Sequence, residues 1–295
     1  MIATTIEQGL IYAIMALGVY ITYKILDVPD LSVDGTFPLG AALTALYISK
    51  GVNPYIVLVL TFLVGAIAGV VTGIIHVKLK VRDLLAGIIV MTGLYSINLR
   101  IAGRANVAFY NQDTIFTLFP LNKILPEQLV EYERVILLAI IVIILKLLLD
   151  LYLKTKSGYL LRATGSNKTL ITSLGKDSGL VKIVGLGLAN GFASLAGGIC
   201  AQQQKFFDIS MGTGTVVIGL ASVIIGISVF KYITFMKHTT SVVIGSILYK
   251  ACISLAIAKI TIKASASDLN LITAILFLII LVITKEKKRR VRQNG

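Results

Sequence analysis

The sequence predicts an all-α polytopic membrane protein with about nine transmembrane elements, two of them short or broken helices in an inverted repeat. Three observations predict it. The chain of 295 residues is 56% hydrophobic and 14% charged, with a mean hydropathy of +0.90, and it carries repeated apolar runs of about 18 residues or more. Lys and Arg gather in short loops and a tail between those runs. Two turn-rich segments, each followed by a short apolar run, repeat one layout.

The first span covers about Ile2 to Ile25. No basic stretch precedes it, so it reads as part of the mature fold and not as a cleaved signal. Leu26-Asp-Val-Pro-Asp-Leu-Ser-Val-Asp-Gly-Thr-Phe-Pro38 is a turn-rich acidic segment, and the apolar run after it, Leu39 to Ile48, is short. At ~1.5 Å per residue it cannot cross ~30 Å of hydrocarbon alone, so a half-helix or broken helix buried among others is expected. Pro54 to Ile75 spans, His76 to Asp83 is a short basic loop, and Leu84 to Ala102 spans again. Gly103 to Glu133 is a long connection, and Arg134 to Leu153 crosses back. The central polar loop covers residues 154–182. Beyond it, Ile183 to Gln202 spans, Lys205 to Thr215 is a second turn-rich segment, and Val216 to Phe230 is a second short run. Thr239 to Ile257 and Leu269 to Thr284 complete the spans, and residues 285–295 form a basic tail.

Placing the tail on the cytoplasmic side puts Lys24 and the loops 76–83, 154–182 and 231–238 there too. About 18 of the 28 Lys and Arg then lie inside, against about nine outside and Lys146 within a span. That bias predicts an N-terminus outside; if the Leu39 to Ile48 element re-enters instead of crossing, the N-terminus moves inside. Net charge +14 would suit nucleic acid in a soluble domain, but the positive-inside rule accounts for it here, and nucleic-acid binding is excluded.

Residues 25–41 and 206–221 share a full span, an Asp and Ser in a turn, a Gly-Thr pair and a short broken helix. The topology places them on opposite sides of the membrane, as in the inverted repeats of transporters. One permease domain, 1–284, follows, with halves of about 1–102 and 183–284 linked by 103–182. Asp34 and Asp208 are expected to cap the broken helices, pair with nearby bases, or remain solvated.

The central loop carries Arg162-Ala-Thr-Gly-Ser-Asn-Lys-Thr-Leu-Ile-Thr-Ser-Leu-Gly175. Local signals make it a short helix, capped by Ser166 or Asn167 and ended by Gly175 in the left-handed C′ position. Leu170, Ile171 and Leu174 share one face. A helix of less than about 12 residues is marginal alone, so this one needs a docking surface on a partner or on the membrane.

Chemistry is sparse. Cys200 and Cys252 lie in apolar segments without a CxxC or nearby His, and His76 and His238 lie in loops, so neither metal, cofactor nor disulfide is indicated. No nucleophile-base set, HExxH or GxSxG appears. The spans are almost free of Asp and Glu, with Glu7, Asp150 and Asp268 at their ends, which disfavours a proton- or ion-coupled secondary carrier. Candidate pathway residues are Asn98, Asn190, Tyr12, Tyr95, Ser194 and Ser222, with Asn98 and Asn190 foremost because burying an amide is costly. Each is also the kind of residue that binds helices together.

Gly9 to Gly18 with Asp30-Leu-Ser-Val-Asp-Gly35, Arg162-Ala-Thr-Gly-Ser-Asn167 with Ser173-Leu-Gly175, and Ala189-Asn-Gly-Phe-Ala-Ser-Leu-Ala-Gly-Gly198 together carry a resemblance. The chain resembles the permease subunits of ABC importers of the branched-chain amino acid and ribose type. Residues 29–41 and 211–226 look most like the tryptophan/tyrosine permease branch. The resemblance implies that Gly165, Ser166, Asn167, Leu170, Ile171, Leu174 and Gly175 form a coupling helix for a cytoplasmic ATPase. It implies a second permease copy as a likeness-based homodimer, two ABC ATPase subunits, an extracytoplasmic binding protein, and a bacterial plasma membrane location. The substrate it implies is an amino acid, aromatic or branched-chain, with a sugar or nucleoside as the alternative. The chain has no P-loop of its own: Gly175-Lys176 is followed by Asp177, and Leu170 stands where the first Gly belongs.

Overall fold

The structure is a computed structural model that describes residues 2–119, 132–166, 171, 173, 175–231, 233, 236–259, 275, 278 and 282. Helix α1 (Ile2–Val19) runs into a π-helical turn, Tyr20–Ile25, and is followed by α2 (Val33–Ser49), α3 (Pro54–Val77) and α4 (Asp83–Ala102). Strand β1 (Asn106–Ala108) and the single-turn α5 (Ile115–Leu118) precede α6 (Glu133–Leu153) and α7 (Lys156–Ser166). Then come α8 (Ser178–Gln204), β2 (Phe206–Asp208), a 3-10 turn (Ile209–Gly212), α9 (Thr215–Val229) and α10 (His238–Lys259).

Among the described residues, seven helical runs are long and apolar enough to cross a membrane. Helix α2, at 17 residues, is the eighth long apolar helix. The segment Leu269 to Thr284 lies largely outside the described residues; Ile275, Leu278 and Val282 are helical and exposed.

Helix α8 is the axis of the bundle, with 89% of its apolar window buried, against 33% or less in α3, α4 and α6. Small residues permit this. Gly65, Gly69 and Gly73 form a stripe on α3, and a Cβ on Gly69 would sit 2.2 Å from the Leu186 carbonyl oxygen of α8. The opposite face of α3, with Ile56, Val59, Leu63 and Ile67, is exposed, as a lipid-facing surface is.

Contacts set the direction of each helix. Thr36 meets Asn190 and Thr44 meets Gly198, so α2 and α8 run the same way. Gln202 reaches Pro54 while Gly73 packs on Ile183, so α3 opposes α8; Glu7 bonds Gln203 while Gly18 packs on Ala189, so α1 does too. The ends of α1, α3, α6 and α9 therefore gather at one pole with α7, and that pole carries Lys24, Lys78, Lys80, Arg82, Lys154 and Lys237. At the other pole β1 pairs antiparallel with β2, Val107 opposite Phe207, a ribbon that span counting misses.

Two sequence expectations need correcting. The first short run is longer than Leu39 to Ile48, because Val33 through Pro38 continue the helix. Pro38 removes only the hydrogen bond that its N–H would give the Asp34 carbonyl, and Gly212 packs against that oxygen, where a Cβ would lie 2.0 Å away. Ser166 does not open a helix; it closes α7, its hydroxyl donating to the Ala163 carbonyl at 3.2 Å. The run from Lys156 contains no breaker strong enough to stop it earlier.

Candidate functional site

The two broken helices meet inside the bundle. Helix α2 begins at the level of Asn190, twelve residues into α8, about 18 Å from its start. Residues 27–30 climb toward that level outside any helix, so their polar groups need other partners. The buried Asp30 carboxylate accepts the Ser32 N–H at 2.8 Å, the Ser32 hydroxyl at 2.6 Å and the Asn190 amide at 2.7 Å. Asn190 gives its second proton to the Leu186 carbonyl at 3.1 Å, and its oxygen accepts the Thr36 hydroxyl at 2.6 Å.

Helix α9 descends from the other pole and starts beside α2. Its unpaired N-terminal N–H groups point at Asp34, whose carboxylate accepts from Val216 N–H at 2.8 Å, Gly214 N–H at 3.2 Å and the Thr215 hydroxyl at 2.8 Å. Asp34 thus caps the other broken helix, not its own. The turn-rich segments do enter from opposite poles, yet they touch. Asp208 caps the 3-10 turn through Ser210, and Asn106 donates to it at 3.2 Å. Burial pushes the Asp208 carboxyl up, but the Ser210 hydroxyl and N–H with the Asn106 amide outweigh this and hold it below the usual carboxylate range.

Nearer the ribbon pole, Tyr12 of α1 stacks on Phe37 of α2, centroids 5.7 Å apart and planes 4° from parallel. The Lys250 ammonium of α10 sits 3.9 Å from the Tyr12 centroid. Lys250 lies well inside α10, as its place within the apolar run Thr239 to Ile257 implies.

At the basic pole, a cavity of 820 Å³ opens between the ends of α1, α6, α7 and the start of α10, lined by Tyr20, Tyr23, Lys24, Asp27, Arg162 and Lys237 among others. Gly165 and Ser166 border it. A Cβ on Gly165 would lie 1.7 Å from the Ile25 carbonyl oxygen, so the central loop presses directly on the end of α1. Ile171 is fully buried. Gly175 takes φ +68° as the sequence predicts, and the Lys176 N–H reaches back to the Ile171 carbonyl at 3.1 Å, the six-to-one bond of a Schellman ending. Asn167, Leu170 and Leu174 lie outside the described residues. Asp150 joins α6 to α10 through Lys237 at 3.1 Å and Thr239 at 2.7 Å, with Lys146 at 2.9 Å.

The remaining pathway candidates are scattered. Asn98 is buried and donates to the Gly35 carbonyl at 3.0 Å, with no partner for its own oxygen among the described residues. Ser194 donates to Thr61 and Ser222 to Ile218, both through backbone carbonyls. Tyr95 is 53% exposed on the outer side of α4.

Long apolar helices packed around two interrupted ones make an all-α, multi-pass membrane architecture of the kind transporters use. Residues 1–284 match the family described as the permease component of a branched-chain amino acid transport system, and the chain belongs to that family. It is 44% identical over 277 residues to a tyrosine transport system permease protein of Clostridioides difficile, covering 94% of this chain and 89% of the relative. It is 28% identical to the probable branched-chain amino acid transport permease protein LivH of Methanocaldococcus jannaschii, over 81% of this chain and 76% of that one. It is 25% identical to the ribose import permease protein RbsC of Escherichia coli K12, over 75% and 67%. No solved structure gives a significant match.

Proposed function

We propose that the chain is the membrane-spanning subunit of an ATP-driven bacterial importer for an amino acid with an aromatic or branched side chain. The observation that carries the proposal is the seat of the central loop, whose Gly165 bears on the Ile25 carbonyl where α1 ends in its π-helical turn. A push on that loop from the cytoplasm reaches the segment 26–32, then Asp34 and the start of α9. Hydrolysis belongs to two separate ATPase subunits, and Gly165, Ser166, Asn167, Leu170, Ile171, Leu174 and Gly175 form the part they grip. A second copy of the chain completes the pore, a binding protein delivers solute from outside, and the basic tail rests on anionic lipid.

The relatives' named substrates support the amino acid reading: the tyrosine permease is 44% identical to this chain and the ribose permease 25%. Halves 1–102 and 183–284 act as an inverted repeat hinged where Asp34 meets α9. The test is uptake into vesicles holding the chain, its genomic neighbour ATPase and binding protein. ATP-dependent accumulation of tyrosine or leucine is the expected result. Ribose uptake would replace the substrate, and uptake by the chain alone, without ATP, would replace the class with a secondary carrier.

A further inference from the structure

We infer that Lys250 and the Tyr12–Phe37 stack form the intramembrane recognition point of the permease, the ammonium meeting the substrate carboxylate and the rings meeting its apolar side chain. The inference rests on the amino acid importer reading above. Lys250 lies twelve residues beyond His238, near the middle of α10. A lysine at such a position is costly and marks function unless it is paired. Among the described residues both salt bridges belong to Asp150, and Lys250 has a π face as its partner and no carboxylate. Its charge is therefore only partly compensated.

Three further observations place a ligand here. Tyr12 and Lys250 are each only partly buried. Phe37 stands one turn after Asp34, beside the junction of the broken helices, where transporter substrates bind. Asp34 already occupies the positive end of α9, and among the described residues Lys250 has no carboxylate partner of its own. A neutral sugar has no group to balance that charge, whereas an amino acid brings both the carboxylate and a side chain able to lie against Tyr12.

The experiment compares the full complex carrying Lys250→Met or Lys250→Arg in vesicles, measuring ATP-dependent tyrosine and leucine uptake. Lys250→Met is expected to lower uptake about tenfold or more, with the partner subunits still co-purifying, and Lys250→Arg to retain most of it. A second measurement separates contact with solute from a packing role. In a Cys200→Ser, Cys252→Ser background, Lys250→Cys is expected to react with a charged thiol reagent added outside, and loaded binding protein with ATP to slow that reaction. Wild-type rates for Lys250→Met, or a Lys250→Cys thiol that is unreactive or unaffected by solute, overturn the inference. A wild-type complex that takes up neither amino acid defeats the substrate reading itself, which is a separate outcome.

Discussion

Asp34 illustrates how one carboxylate holds two elements. It accepts two N–H groups and a hydroxyl at the start of α9 while belonging to α2. Asp34→Ala is expected to destabilise the fold by about 2 kcal/mol, one helix cap plus a charge-assisted bond, and Asp34→Asn by less. The chain lacks tryptophan, so a thiol-reactive dye reporting exposure of the buried Cys200 is the suitable measurement in detergent. Asn190→Ala should cost about 3 kcal/mol in the same assay, because the buried Asp30 carboxylate loses a donor that nothing nearby replaces. Asp208 gives a pH signature. Its carboxyl titrates lower folded than unfolded, so its stabilising contribution is complete above the ordinary value of about 3.9 and fades as pH falls through the lower folded value. Asp208→Asn should flatten the acid limb of the dye-monitored unfolding temperature by a small margin, since the residue is only partly buried.

At the scale of elements, close helix approach and the docking segment are the features to test. The α3 glycine stripe meets the α8 backbone with no room for a side chain. Gly69→Val is expected to cost about 2 kcal/mol through overpacking and to reduce the folded permease recovered from membranes. On the central loop, Leu170→Asp with Leu174→Asp should release the ATPase while leaving the permease folded; unchanged co-purification would remove the docking role. Ile171 is buried, while Leu170 and Leu174 lie outside the described residues. The left-handed Gly175 was legible from the local sequence alone. The start of the helix was not, because Ser166 caps well in isolation and only the continuous run from Lys156 reveals that it ends α7 instead. Likewise the π-helical turn at Tyr20–Ile25 has no local signal: it places Thr22 so that its carbonyl takes the Val28 N–H at 3.0 Å and begins the climb toward Asp30.

For the whole molecule, the alternation of helix directions and the basic pole together argue that the pole with α7 is cytoplasmic. Reporter fusions after Gly51 and Gly103 should give active alkaline phosphatase, and fusions after Lys80 and Lys154 should not; the reverse pattern would invert the topology. The membrane class, most span positions and the basic pole could be read from the chain because hydropathy and charge are local and nearly additive along it. The permease family could be read because its glycine and polar motifs survive as short strings. Tertiary structure alone decided that Asp34 caps a helix 182 residues away, that Asn190 locks Asp30 across 160 residues, and that Lys250 lies over Tyr12. Those pairings arise from how packed helices meet inside the bundle, where a buried polar group takes whichever partner the fold brings within reach, and no periodicity along the chain encodes that choice.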